Sequence, residues 1–126
     1  MANVFGENSH SNFSWPMLGD IKLGRPNLGD QVPVAVYRML EYSMFDVLVH
    51  KLGLKEAQEI FRDAGFKSGL EFANNVLDLQ ADVDSFVAQL AEKMMAMKMG
   101  VARIEKLDRK DGSFVITVEE DLDCSG

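Results

Sequence analysis

The sequence predicts an α+β fold in which three main helices are followed by an antiparallel β-hairpin. Three observations predict it. Apolar residues recur at three-to-four spacing over residues 33–52, 54–77 and 83–99, the period of a helix with a buried face. Past Gly100 the period becomes two, with Phe114, Ile116 and Val118 alternating against Val115, Thr117 and Glu119. Between the two strand-like runs lies Asp108-Arg109-Lys110-Asp111-Gly112, a turn sequence ending in glycine. A chain of 126 residues has room for one core and little more. We therefore expect a single domain over residues 18–126, preceded by an arm over residues 1–17.

The arm is polar, with Asn3, Asn8, Ser9, Ser11, Asn12 and Ser14 as turn-formers. Phe5, Phe13 and Trp15 interrupt it, and three aromatics call for a surface to dock on. Residues 18–32 are punctuated by Gly19, Gly24 and Gly29, with a turn at Pro26-Asn27. These glycines do not form a phosphate loop, because no Gly-Lys-Ser/Thr ending follows. Arg25 is the charged side chain with a task to offer here: capping carbonyls or meeting a carboxylate.

Pro33 suits the first position of the first long helix, where its missing N–H is not needed. Gly53 suits the end. This helix carries two apolar stripes, Tyr37, Leu40, Met44, Val47 and Leu48 on one side and Tyr42, Phe45, Val49 and Leu52 on the other. Two stripes predict cover on both flanks, and hence a central position. Asp46 and His50, four apart, are placed to pair.

In the second helix Ala57, Ile60, Phe61, Ala64, Phe72, Ala73, Val76 and Leu77 form the buried stripe. Gly65 and Gly69 each cost a helix about 1 kcal/mol relative to Ala. They are expected to mark close approach to the first helix or, failing that, space for a ligand. Asp82 is the expected N-cap of the third helix, whose apolar face is Val83, Phe86, Val87, Leu90, Met94 and Met97. Four of the chain's eight methionines fall between Met94 and Met99, and Met suits surfaces that adapt. Gly100 is expected to end this helix. Strands over residues 101–107 and 113–119 complete the reading.

Twenty acidic and 13 basic residues give a net charge of −7, which argues against nucleic-acid or anionic-membrane partners. Cys124 is the sole cysteine, so no internal disulfide forms and a cytoplasmic location is expected. No apolar run approaches the ~20 residues that span a bilayer. Neither an N-terminal secretory pattern nor a nucleophile–base constellation is visible. Glu119, Glu120, Asp121, Asp123 and Cys124 lack the spacing of a calcium loop and the His/Cys set of a zinc site. No catalytic residue, metal or cofactor is assigned.

Leu18-Gly19-Asp20, Gly24-Arg25-Pro26-Asn27-Leu28-Gly29, Val32-Pro33, Tyr37-Arg38, Ala64-Gly65, Ser68-Gly69 and the closing Glu120-Asp121-Leu122-Asp123-Cys124-Ser125-Gly126 together resemble the N-terminal half of 4-vinyl reductase-type domains. These are also described as small-molecule or hydrocarbon-binding domains. The resemblance covers residues 18–126. It implies helices packed on an antiparallel sheet, similar to vesicle-tethering (TRAPP) subunits that hold an acyl chain in an apolar channel. It further implies a sensory or regulatory ligand-binding role and a homodimer. The family's C-terminal half, with two further strands and a cysteine-rich region that binds zinc in some members, has no counterpart here, so no metal ligand is carried over to Cys124.

The expected function is binding of an apolar or aromatic small molecule without catalysis, with Arg25, Tyr37, Leu40, Met44, Phe61, Phe72, Met94 and Met97 as the lining and Arg25 for a polar head. Two alternatives come from other classes. One is an enzyme, or an accessory to one, of tetrapyrrole metabolism, reducing a vinyl group as in bacteriochlorophyll synthesis. The other is a dimerisation scaffold with a dry core.

Overall fold

The structure, a computed structural model, describes residues 12–126. Most of the arm, with Phe5, lies outside the described residues. A 3-10 turn at Trp15–Leu18 is followed by helices α1 (Ile21–Gly24), α2 (Val34–Leu52), α3 (Leu54–Val76) and α4 (Val83–Ala96), then strands β1 (Val101–Asp108) and β2 (Ser113–Glu119). The α+β class stands, with the three long helices and the hairpin in the expected order. The chain divides into two compact units, the first ending at Phe72 and the second running from Ala73 to Gly126. The sequence alone reads as one domain; the division falls inside α3.

In the first unit, Asp20 caps α1 by accepting from the Leu23 amide at 2.9 Å. Pro33 stands one position outside α2, as its N-cap, with extended backbone. Gly53 forms a one-residue corner. Its φ of +88° is open to glycine, its amide closes α2 on the Val49 carbonyl at 2.9 Å, and its own carbonyl accepts the Ala57 amide of α3 at 3.1 Å. Trp15 is half-buried and its amide donates to Glu71 Oε2 at 2.6 Å, so the end of the arm docks on α3.

Two expectations for these helices are corrected. The half-buried residues of α2 are Arg38, Glu41, Phe45, Leu48 and Val49, a single line at helical spacing. Tyr37, Leu40, Met44 and Val47 of the first apolar stripe are open to solvent, Leu40 by 65%. The helix is sheltered along one side, not two. Second, α3 runs unbroken through Gly65 and Gly69, and a Cβ at either would meet nothing within 4 Å. The glycines mark open space, not close approach. Phe66 beside them is 71% exposed.

In the second unit, Asp82 caps α4 as expected, accepting from the Ser85 amide at 2.8 Å. That bond, with the contact to the Ser85 side chain, holds the Asp82 carboxyl below its ordinary value. Gln89 clamps the preceding loop, accepting from the Asp78 amide and donating to its carbonyl, both at 2.9 Å. Val87 is the fully buried centre of the expected apolar face, and α4 packs on β1.

Gly100 does not end α4, correcting the sequence reading. The helix stops at Ala96 with Met97 as its C-cap, and Lys98 takes a φ of +61°. The Lys98 amide then donates to the Met95 carbonyl and the Met99 amide to the Met94 carbonyl, at 3.1 and 2.9 Å, a Schellman closure. Gly100 is buried for another reason: a Cβ there would sit 2.6 Å from Val118 Cγ1 and 3.3 Å from the Glu119 carbonyl oxygen.

The hairpin pairs Val101 with Glu119, Ile104 with Ile116 and Leu107 with Phe114, with a bulge between Ile104 and Lys106. The bulge resolves a conflict in the sequence. Ile104 and Leu107 are three apart and would face opposite sides of a regular strand. One extra residue, Glu105, restores both to the face that carries Phe114, Ile116 and Val118. The opposite face is polar: Arg103 pairs with Glu119 at 3.0 Å, and Thr117 Oγ1 donates to Glu105 at 3.1 Å. Arg109 in the turn makes a bidentate pair with Asp84 in the first turn of α4, at 2.8 to 3.2 Å.

Candidate functional site

The corner at Gly53 turns the chain from α2 into α3 without packing the two helices backbone to backbone. They meet through side chains. The Phe45 and Phe61 rings lie 5.1 Å apart at 59°, a favourable tilted geometry. Around that pair opens a cleft of ≈ 590 Å³, lined by Glu41, Tyr42, Phe45, Asp46 and Val49 of α2 and by Leu54 and Phe61 of α3. Its volume is in the range of small-molecule sites. The wall is apolar except at Glu41 and Asp46. Asp46 is engaged with His50, as the sequence predicted, with Nδ1 at 3.4 Å from its carboxylate and 2.8 Å from its carbonyl.

Of the eight residues expected to line a site, the cleft takes Phe61 alone. Tyr37, Leu40 and Met44 lie on the open side of α2, roughly 80–180° around the helix axis from Tyr42, Phe45 and Val49. Phe72 is half-buried near the end of the first unit. Met94, half-buried, and Met97, exposed, belong to the second unit. Arg25 is half-buried in a separate hollow of ≈ 520 Å³ formed by Leu18, Gly19, Asp20, Ile21, Leu23 and Gly24. There its backbone serves the turns, the amide donating to the Ile21 carbonyl and the carbonyl accepting from Gly29.

The lining that sequence reasoning did not single out is the second stripe, Tyr42, Phe45 and Val49, with Leu54 just past the corner. The stripe itself is visible as a period. What the period lacks is any sign that this stripe, and not Tyr37-Leu40-Met44, turns toward α3.

Cys124 closes a local turn, its thiol 3.2 Å from Asp121 Oδ1. Among the described residues no three His, Cys, Asp or Glu side chains gather as a metal set, and no helix is long and apolar enough to cross a membrane. No protein-family model, curated protein or solved structure matches the chain.

Proposed function

We propose that this protein binds an apolar or aromatic small molecule in the α2–α3 cleft and performs no chemistry on it, acting as a sensory or regulatory module. The observation that carries this reading is the cleft itself, an apolar hollow of ligand size with a pair of phenylalanines at its base. The resemblance to 4-vinyl reductase-type, hydrocarbon-binding domains supports it from the sequence side. A flat apolar ligand stacks on Phe45 and Phe61 and removes apolar surface from water at roughly 25 cal/mol per Å². Tyr42 and Leu54 form the rim.

The test is titration with a fluorescent naphthalene-type probe. Val49→Trp fills the cleft from a half-buried position and is expected to weaken probe binding about tenfold, a loss of roughly 1.4 kcal/mol. Arg25→Ala, in the other hollow, leaves it unchanged. Equal binding by the wild type and Val49→Trp sinks the reading. Native mass spectrometry adds a second decision: a co-purified apolar compound supports it, and a co-purified redox cofactor replaces it with the enzymatic alternative.

A further inference from the structure

We infer that the ligand of the α2–α3 cleft is a cation, an aromatic ring carrying an alkylammonium group, and that Glu41 is its counter-ion. The inference rests on the reading of that cleft as a binding site and names the chemistry of what fills it.

The charged groups of the wall are both acidic. Glu41 and Asp46 line the cleft, and among the described residues no Lys or Arg does. Arg38, one turn before Glu41, lines a neighbouring hollow with Val34, Ala35, Met39 and Tyr42. At about 100° per residue, Glu41 and Asp46 stand roughly 140° apart around α2, and Tyr42, Phe45 and Val49 fall between them. The apolar strip is thus bordered by a carboxylate on each side. An anionic ligand meets repulsion at both borders, and a neutral hydrocarbon gains nothing from either. The net charge of −7 draws cations in the same sense.

The two carboxylates are not equal. Asp46 is 70% exposed and engaged with His50 at 3.4 Å, so water screens it. Glu41 is half-buried, and its Oε2 is sealed from solvent. A charge in that setting acts through a lower effective dielectric than one at the surface. An ammonium donating to Glu41 is therefore held more strongly than one at Asp46. The rings supply the other half of the recognition. Phe45 and Phe61 meet at 59°, so the ligand finds two aromatic faces of different orientation. Such faces attract a cation within about 6 Å of the ring centre. Phe45 lies four residues on from Glu41, on the same side of α2. A ring seated on the phenylalanine pair thus carries its ammonium, a methylene away, to the Glu41 carboxylate.

A matched series tests this by fluorescence titration of the full chain: naphthylmethylammonium, neutral naphthylmethanol and anionic naphthaleneacetate. The three share a ring and differ in charge. The ammonium is expected to bind about tenfold more tightly than the alcohol, and the acetate more weakly than either. Glu41→Gln should bring the ammonium down to the level of the alcohol. Glu92→Gln, which removes the same charge from an exposed position on α4, should leave the order intact. Equal affinities across the series overturn the inference, while the cleft stands as a site for neutral ligands. A preference for the ammonium that survives Glu41→Gln also overturns it, as attraction to the overall charge. Failure of all three to bind removes the cleft as a site and this inference with it. If Glu41→Gln does not fold, nuclear Overhauser contacts in the wild type decide. The methylene protons of the bound ammonium should lie against those of Glu41, and contacts confined to other residues overturn the assignment.

Discussion

Lys98 sits where a helix end asks for glycine. Its φ of +61° costs an L-residue roughly 1 kcal/mol that glycine would not incur. Two residues on, Gly100 occupies a position that has no room for a side chain. The pair makes a paired prediction. Lys98→Gly should stabilise the protein by about 1 kcal/mol and raise the melting temperature by a few degrees. Gly100→Ala should destabilise it by roughly 1–3 kcal/mol, since Val118 and the Glu119 carbonyl must both give way. Thermal melts of the two variants check this, and equal shifts would refute the geometry around the α4–β1 junction. From sequence alone Gly100 reads as the helix end, because glycine is the usual signal. The αL position itself leaves no mark when lysine fills it.

At the scale of the element, α3 is the instructive case. Its two ends match the buried stripe read from the sequence, with Ala57, Ile60, Phe61, Phe72, Ala73, Val76 and Leu77 sheltered and only Ala64 exposed. Its middle, residues 62–70, is exposed throughout. Gly65 and Gly69 there loosen the helix and meet nothing. Replacing both by Ala should therefore stabilise the helix by about 0.8–1 kcal/mol per site. Chemical denaturation measures it. A loss of stability would mean that another chain or segment packs on the glycines in solution. The hairpin shows the opposite relation between sequence and structure. Its strands and turn were legible almost to the residue, because a period of two and a closing glycine are local signals. The bulge at Glu105 was not, though the three-residue spacing of Ile104 and Leu107 contains it once the partner strand is known.

At the scale of the whole molecule, exposed apolar residues stand on α2, on the middle of α3 and on the hairpin, while a net charge of −7 repels one copy from another. Association of two copies over these residues would tie folding to association. The melting temperature should then rise with protein concentration, by an amount corresponding to roughly 2.7 kcal/mol at a hundred times the dissociation constant. Added salt should raise it further by screening the like charge. Calorimetry over a wide concentration range is the measurement, and a concentration-independent melt would show that the chain completes its stability alone.

Local chemistry was enough to determine the class and order of elements. Asp82 caps because its carboxylate reaches an amide three residues on, Gly53 turns because it has no Cβ, and Phe114, Ile116 and Val118 share a face because strands alternate. Each of these depends on neighbours within a few residues. Which stripe of α2 turns inward depends on the direction in which α3 leaves Gly53, and a period carries no information about direction. So Phe45 and Phe61, not Tyr37 and Leu40, came to line the cleft. Only the tertiary structure decided that, because a site belongs to the pair of surfaces that meet, and each helix encodes one of them.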